Sequence, residues 1–391
     1  MLGAFTLGWA VIYANRTSMY PLLSVIAADL GLSSTQAGFL TSSYFFFYVL
    51  MQIPAGVAGD RFGLKRVLLV MFTLATLGML GLGLAGTSFT ALLAFTALHG
   101  LGAGAYYPAS YGTILQVVAP ERRGLSSAII GSGMALGLFA GLAVSGPLYG
   151  YLGSYRAPFL LLCGPSLLML AYFHFAVPNV KGASSPGWAE YKAVLADKEL
   201  WLINIISFCG LYGFWVAVAW GPTFLKLERG FSLGQSGFYT GLVAIMAVPA
   251  ALLWGRLSDR YGRWPLALIV LPASAAVLLC LSQLTDYTAI LATLLAFGLF
   301  SNSAFVPIMV SWTADIAETR YPGLMGAAVG VFNCATMSSA IFAPVVSGYL
   351  RDVTGSLVPA IIAGSAIMLL GSCLILLLPR TAKVETEKRQ A

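Results

Sequence analysis

The loop that decides the fold reads GVAGDRFGLKR at residues 56–66. A related stretch, GRLSDRYGR, begins at Gly255, which lies 199 residues after Gly56. The same offset relates Pro108 to Pro307, each inside a long apolar run. Matches at one offset on either side of a polar linker indicate two repeats that enter the fold in the same orientation.

Most of this chain is solvated by lipid, because its composition is far too apolar for a protein in water. Of its 391 residues, 59% are hydrophobic and 9% are charged, and the mean hydropathy is +0.87. A soluble domain carries about 25% charged residues. The net charge of +7 does not indicate a nucleic-acid partner, because Lys and Arg form short clusters between long apolar runs, as topology signals do.

Twelve apolar runs are long enough to cross a bilayer, which takes about 20 residues in a helix. They do not show the short alternating strands of an outer-membrane barrel, so we predict an all-α membrane protein of twelve transmembrane helices. The repeat divides them into six-helix bundles at 1–177 and 200–379, with a linker at 178–199 and a tail at 380–391. The predicted spans lie near residues 3–28, 37–58, 66–86, 89–117, 125–150, 157–177, 200–225, 236–257, 265–284, 288–312, 324–350 and 357–379.

The distribution of Lys and Arg predicts the orientation in the membrane. With the N-terminus inside, the inner loops hold 16 of the 21 basic residues and the outer loops hold 4. This bias predicts cytoplasmic termini and an inner-membrane protein. The first residues lack the basic segment of a removable signal peptide, and the first apolar run begins almost at Met1, so we expect native residues to precede it.

The pattern Gly-x-x-x-Asp-Arg-x-Gly-x-Lys-Arg after the second helix, with a degenerate copy after the eighth, resembles the loop signature of the major facilitator superfamily. The resemblance implies two six-helix bundles around a central site. It also implies that Asp60 packs against the eleventh helix and Asp259 against the fifth, holding the halves together when the cytoplasmic side is closed. The expected gating residues are Asp60, Arg61, Gly63, Lys65, Arg66, Asp259, Arg260, Gly262 and Arg263.

Within that superfamily, the N-terminal half is similar to the anion:cation symporters and the organophosphate antiporters. Proton-coupled members often place an acidic residue beside the arginine of the first helix, where this chain has Asn15. They often place glutamate in the glycine-rich fourth helix, where this chain has only glycine and alanine. The similarity is carried by Asn15-Arg16, DLGLS at 29–33, QAG at 36–38, Tyr48, QIPAG at 52–56 and YRAPF at 155–159.

Arg16 is the only Lys or Arg far from both predicted membrane faces. It lies about 20 Å from the start of its helix, because each helical residue rises 1.5 Å. A charge at the bilayer centre costs roughly 2.5–3.5 kcal/mol on insertion scales, and no Asp or Glu is predicted at the same depth. An anionic substrate is the natural partner, because the arginine fork matches carboxylate or phosphate. A structural arginine bonded to helix carbonyls is the alternative.

Other residues at similar depth complete the predicted substrate site. Tyr13 and Tyr20 share the helical face of Arg16, and His99 would carry a coupling proton or bond an anion. Trp215 stands at the repeat equivalent of Arg16, so a single charge with aromatic walls predicts a monoanion with an apolar part. Helix packing is the alternative for each aromatic. The predicted set is Arg16, Tyr13, Tyr20, Tyr48, His99, Tyr107, Tyr212, Trp215, Asn302 and Asn333.

These observations predict a secondary transporter that moves a small organic anion, a carboxylate, by alternating access, as an ion symporter or an anion exchanger. The expected partners are protons or a counter-anion and the lipid bilayer, and we expect a monomer. No metal-ligand spacing, nucleotide-binding loop or catalytic triad occurs, so we predict no metal, no cofactor and no enzyme activity. The alternatives are efflux of amphipathic compounds, carriage of a neutral metabolite with Arg16 structural, and a receptor without transport.

Overall fold

The computed structural model describes residues 1–181, 188–321 and 323–379, and within these ranges it contains helices and no strand. The predicted tail at 380–391 and residues 182–187 of the predicted linker lie outside the described residues. The helices are α1 (Leu2–Thr17), α2 (Met19–Leu30), α3 (Ser34–Phe62), α4 (Leu64–Ala85), α5 (Phe89–Ala103), α6 (Tyr106–Val117), α7 (Pro120–Leu152), α8 (Arg156–Ala176), α9 (Trp188–Ala196), α10 (Lys198–Arg229), α11 (Leu233–Ile245), α12 (Ala247–Tyr261), α13 (Arg263–Gln283), α14 (Tyr287–Phe300), α15 (Asn302–Arg320), α16 (Met325–Thr354) and α17 (Val358–Ile375).

The predicted spans reappear as apolar helical segments, and several of them are broken into two helices. Eleven segments of the described chain are long and apolar enough to cross a membrane. The first predicted span is split at Ser18 into helices of 16 and 12 residues, each shorter than a bilayer requires. Three breaks lie just before Pro21, Pro108 and Pro249, because proline lacks the N–H for the helical bond and its ring clashes with the preceding turn. The all-α membrane fold is confirmed.

The backbone carries the repeat as clearly as the sequence does. Gly63 and Gly262 occupy equivalent positions in the two signature loops, with φ of 95° and 93°. Only glycine adopts this conformation without strain, which explains its place in both copies. A reciprocal capping box starts both equivalent helices, between Ser33 and Gln36 and between Ser232 and Gln235.

The chain divides into two compact units whose boundaries cut through helices. The first unit comprises Met1–Ser185, Val216–Ile245 and Ala340–Ala360. The second comprises Pro186–Trp215, Met246–Ser339 and Ile361–Ala391. The first unit therefore contains all of α11 and parts of α10, α16 and α17, which follow the linker in sequence. The division at 1–177 and 200–379 follows the repeat instead, and it stays a prediction.

Asp197 joins the end of the linker helix α9 to two helices of the second unit. Its carboxylate accepts from the backbone N–H groups of Glu199 and Leu200 at 2.8 and 3.0 Å, which caps α10. It also accepts from Arg320 and from the Tyr321 hydroxyl, each at 3.0 Å. Burial raises the pKa of Asp197, but these hydrogen bonds outweigh it, so the pKa lies below its ordinary value.

We expect Asp197→Ala to lower the free energy of unfolding by about 2 kcal/mol, because it removes a helix cap and an acceptor shared by several donors. Because folding lowers the pKa of Asp197, the contribution of its carboxylate to the free energy of unfolding is complete above the unfolded pKa of about 4. This contribution is lost as the pH falls through the folded pKa. Thermal unfolding of the purified parent and variant at neutral and acidic pH measures both effects.

Asp286 provides the matched control, since it caps α14 from an exposed position through the N–H of Ala289 at 2.8 Å. Asp286→Ala should cost about 1 kcal/mol or less. Equal losses at Asp197 and Asp286 would show that the Arg320 and Tyr321 bonds contribute nothing.

Candidate functional site

Arg16 lies in the last turn of α1, and only 5% of its surface is exposed. Its guanidinium carbon stands 3.7 Å from the centre of the Tyr13 ring, and 5.0 and 5.6 Å from the rings of Phe45 and Tyr44. Aromatic faces at these distances attract a cation, and the C-terminal end of a helix favours positive charge. The first unit thus holds a buried cation between α1 and α3.

A small cavity borders Arg16 inside the first unit. The space accessible to water is about 10 Å³, which is room for about one water molecule. In the part of the chain that the structure describes, none of the residues lining this cavity is Asp or Glu, so its walls supply no negative charge. The lining residues are Asn15, Arg16, Met19, Tyr20, Thr41, Tyr44, Met79, Leu82, Thr96 and His99.

Buried hydroxyl groups around the cavity lack a hydrogen-bond partner among the described residues. They include those of Tyr20, Thr41 and Thr96, residues that are 1%, 2% and 4% exposed. A buried polar group without a partner costs about 1–3 kcal/mol. Such groups are rare in folded proteins and need a water, an ion or a ligand to explain them.

Neighbouring contacts identify two hydrogen-bond acceptors beside the same cavity. Ser166 donates its only hydroxyl proton to the carbonyl of Leu162, so it must accept from Asn15 Nδ2 at 2.9 Å. His99 Nδ1 lies 2.9 Å from the carbonyl oxygen of Ala75, which only accepts, so Nδ1 carries the proton. The remaining atoms, Asn15 Oδ1 and the Nε2 of a neutral His99, are acceptors without a partner among the described residues. The cavity thus combines a cation, hydroxyl groups and two acceptors.

The structure brings several predicted substrate residues to this place. Arg16, Tyr20 and His99 line the cavity, and Tyr13 stacks on the guanidinium. Tyr48 stacks on the ring of Tyr44, with 5.8 Å between the ring centres. These positions bring together residues of α1, α2, α3 and α5 that the sequence could relate only by depth.

Tyr107 belongs to the same unit as the cavity but is not among its lining residues. Tyr107 packs on α6, with its ring centre 4.6 Å from that of Tyr111 and 6.4 Å from that of Trp9. Four residues belong to the second unit, and their place in a substrate site stays a prediction: Tyr212, Trp215, Asn302 and Asn333.

Sequence reasoning left Thr41 and Thr96 out of the site. Their signal is helical spacing, because Thr41 lies three residues before Tyr44 on α3 and Thr96 lies three residues before His99 on α5. Threonine in an apolar helix usually bonds a carbonyl one turn earlier, as Thr76 does at 2.8 Å. Only the structure distinguishes the threonines that lack such a bond.

Two close helix crossings lie in the first unit, in the halves of α3 and α7 away from the signature loop. An added Cβ at Gly38 would overlap the carbonyl oxygen of Pro344, so α3 and α16 touch through their backbones. An added Cβ at Gly237 would overlap the carbonyl oxygen of Leu142, where α11 meets α7. Gly237 follows Gly38 by 199 residues, so the two crossings are equivalent in the repeat. We call this end of the first unit the far face.

A carboxylate strengthens the crossing of α3 and α16 at the far face. Asp352 accepts from the N–H groups of Ser34 and Thr35 at 2.7 and 2.8 Å, and from the Thr35 hydroxyl at 2.6 Å. Arg351 donates to the Ser34 hydroxyl at 2.9 Å. The negative charge also meets the positive end of the α3 dipole. Asp352 therefore caps a helix of the other repeat.

The opposite end of the first unit, which we call the linker face, carries the first signature loop. Lys65 donates to the carbonyl of His174 at 2.6 Å in the first unit. In the second unit, Arg263 pairs with Asp259 at 2.6 Å and with Asp315 at 3.3 Å. Asp259 thus has a partner within its own unit. The expected packing of Asp60 and Asp259 against the eleventh and fifth helices stays a prediction.

The two loops also orient their arginines alike. The Arg61 guanidinium lies 5.3 Å from the Phe62 ring centre, and that of Arg260 lies 5.3 Å from the Tyr261 ring centre. Paired loops of this kind are the feature that resembles one transporter family. In a comparison with known protein families, the family model of the Major Facilitator Superfamily matches residues 5–339. The chain belongs to the Major Facilitator Superfamily. As a member, it is a multi-pass membrane transporter and not an enzyme, which confirms both predictions.

Individual proteins are similar to this transporter along nearly its whole length. A probable sulfoacetate transporter of Cupriavidus necator is 27% identical, with 93% of this chain and 90% of that protein covered. A probable galactarate/D-glucarate transporter of Bacillus subtilis is 24% identical, with 95% and 90% covered. The crystal structure of a bacterial homologue to the human lysosomal transporter Spinster, inward-facing and occupied, matches with a TM-score of 0.80 at 17% identity, covering 96% and 95%. This last likeness concerns the fold alone.

Proposed function

We propose that this protein is a secondary transporter of a small organic anion, a carboxylate, and that Arg16 binds the anionic group. It works by alternating access, as an ion symporter or an anion exchanger. The linker face is cytoplasmic, the membrane is the inner membrane, and the protein acts as a monomer. Two relatives are named as transporters of acids, sulfoacetate in one case and galactarate or D-glucarate in the other, which supports the anionic class.

The observation that carries this proposal is the buried Arg16 at a cavity whose walls contain no acid. A carboxylate beside the guanidinium would form charge-assisted hydrogen bonds in a dry setting, and such bonds are about twice as strong as neutral ones. The hydroxyl groups of Tyr20, Thr41 and Thr96 would then donate to the remaining lone pairs of the anion.

Binding requires movement, because an organic anion is larger than the single water that the cavity admits in this conformation. Met19 and Met79 in its walls are flexible, unbranched side chains. α1 and α2 meet at Ser18, two residues after Arg16, and Pro21 removes a backbone N–H from the next turn, so the segment can bend at this point. In the proposed cycle, the far face opens at the crossings of α3 with α16 and of α7 with α11, and the cavity widens as the helices part.

One observation favours a second function, a carrier of a neutral metabolite with a structural Arg16. The guanidinium already stacks on Tyr13 at 3.7 Å, a contact worth about 2 kcal/mol or more when desolvated. Counterflow into proteoliposomes distinguishes the two functions, with small carboxylates compared against their amides as internal solutes. The anion carrier exchanges only with the carboxylates. Equal counterflow with carboxylates and amides would support the neutral carrier.

His99 is proposed to carry the proton if transport is coupled to protons. Its ring lines the cavity of Arg16, where a bound anion would stabilise a second positive charge. We expect His99→Gln to abolish the acceleration of uptake by a proton gradient while anion exchange survives, because the glutamine amide still donates to Ala75 but takes up no proton. Uptake with and without an imposed pH gradient measures this.

His174 supplies the control, because the only other histidine of the chain lies on α8 at its linker-face end. His174→Gln should keep the response of the parent protein to the gradient. An unchanged pH dependence in His99→Gln would assign His99 to packing.

A further inference from the structure

A deep apolar groove runs along the outside of the first unit between α3, α5 and α16. Its volume is about 730 Å³, many times that of the cavity at Arg16. Phe39 and Phe46 line it from α3, which we call one wall, and Phe342 and Val346 line it from α16, which we call the other. The small side chain of Ala94 lines it from α5, which we call the floor. The large side chains of both walls are between 39% and 53% exposed, so the groove is open at the molecular surface.

The groove lies in a part of the protein that the membrane surrounds. Its walls belong to apolar segments that are long enough to cross a bilayer. Phe39 and Phe46 are seven residues apart on α3, so this wall is about 10 Å long. α3 continues for 16 residues beyond Phe46, to Phe62 at the linker face. The groove therefore sits within the half of the membrane nearer the far face, where the surrounding solvent is hydrocarbon.

The shape and chemistry of the groove fit a hydrocarbon chain. Its walls offer aromatic and branched aliphatic surface, and a lipid tail is as apolar as these side chains. Each methylene that leaves bulk lipid gains little from transfer itself, but a fitted groove adds dispersion contacts on several sides. A headgroup would find no charged partner here, because neither a charged residue nor an amide lines the groove in the described chain.

The groove also depends on the far-face crossing of α3 with α16. Phe39 directly follows Gly38, and Val345, a further wall residue, directly follows Pro344. Gly38 and Pro344 are the two residues that touch at the crossing. Any separation of α3 from α16 pulls the two walls apart and removes the groove.

We propose that this groove binds one acyl chain of a membrane phospholipid and that the bound chain stabilises the closed crossing of α3 with α16. Binding to one of two conformations shifts the equilibrium toward that conformation by mass action. The binding site itself is independent of the proposed function, whereas its effect on transport rests on the proposed opening at the far face.

Photo-crosslinking in vesicles tests the site. The protein is reconstituted in phosphatidylcholine that contains a minor fraction carrying a diazirine in one acyl chain, irradiated, and mapped by peptide mass spectrometry. We expect adducts to be several-fold more abundant at residues 39–47 and 341–346 than on the exposed apolar face of α8. Ala94→Trp, which fills the floor, should reduce the groove adducts to the level of α8, and Ala97→Phe serves as a second filling variant.

Leu168→Trp is the matched control, because it places the same side chain at a position on α8 that is 73% exposed. It should leave the groove adducts unchanged. Adducts spread evenly over the apolar surface, or insensitive to both filling variants, would overturn the proposal. Groove adducts that fall as the protein-to-lipid ratio rises, while those on α8 stay constant, would assign the groove to self-association instead.

The link to the crossing has its own test. Gly38→Ala, which separates α3 from α16, should lower the groove adducts several-fold, because binding and closure are reciprocal. Adducts that persist in Gly38→Ala would overturn the conformational link. All of these measurements record lipid contact and not transport, so they can fail or succeed whether or not the protein carries an organic anion.

Discussion

Purified Arg16→Gln protein is expected to bind the transported anion at least about thirtyfold more weakly than the parent, because removing one partner of a desolvated charge pair costs about 2–5 kcal/mol. The shorter glutamine keeps an amide N–H₂ that donates hydrogen bonds, but it leaves the carboxylate without a counter-charge. Folding should survive, since the change removes a charge that is costly to bury. Thermal stabilisation by the anion that shows counterflow measures the affinity.

Two companion variants make the result specific. Arg16→Lys keeps the charge but loses the planar fork, so its affinity should fall between those of the parent and Arg16→Gln. Lys192→Gln removes an exposed charge on α9 and should bind like the parent. Near-parental affinity in monodisperse Arg16→Gln protein would contradict the proposal of an anion carrier and would support the carrier of a neutral metabolite.

The second large effect is expected at the far-face crossings. Gly38→Ala and Gly237→Ala each place a methyl group on a backbone carbonyl of the facing helix, and backbone yields less readily than a side chain. Overpacking of this kind costs about 1–3 kcal/mol, and only the closed arrangement suffers it. The population with an open far face should therefore rise by about tenfold, since 1.4 kcal/mol changes an equilibrium tenfold.

A buried reporter makes this measurable. Ser145 lies on α7 near the α11 crossing and is 1% exposed. In a variant lacking the five native cysteines, Ser145→Cys should react with a membrane-impermeant maleimide about tenfold faster when Gly237→Ala is present, as the open population rises. Gly164→Ala on α8 is the control, because an added Cβ there meets nothing within 4 Å. Equal rates in Gly237→Ala and Gly164→Ala would falsify opening at this crossing.

The sequence predicted the fold well because its strongest signals act over long stretches. Apolar runs of bilayer length and the repeated loop gave the number and order of the segments, and the equivalent glycines at 63 and 262 then explained the loop. The breaks before Pro21, Pro108 and Pro249 were not predicted, although each proline was visible. Mean hydropathy identifies a span, but it does not show whether the helical backbone hydrogen bonds run through the span without interruption.

The sequence predicted how deep in the membrane each candidate residue lies, but not in which direction its helix presents the side chain. Counting residues placed Arg16 and His99 at one level, and helical spacing added Tyr20. It did not place Tyr107 away from the cavity or include Thr41 and Thr96, because depth does not say which neighbour each helical face meets. The cap that Asp352 places on the start of α3 was also not predicted, since Ser34 and Thr35 are more than 300 residues away from Asp352 in the sequence.

The broken first segment has a consequence for biosynthesis. It carries Arg16 beside Asn15 near its middle, and a charged side chain at that depth opposes membrane insertion of the segment on its own. The ring of Phe45 that covers the guanidinium, and Tyr44 beside it, come from α3, which leaves the ribosome later. The first segment should therefore remain at the translocon until α3 arrives, and the two should enter the bilayer as a pair. A truncated nascent chain that ends before α3 should accordingly be extracted by alkali, while one that extends through α3 should resist extraction.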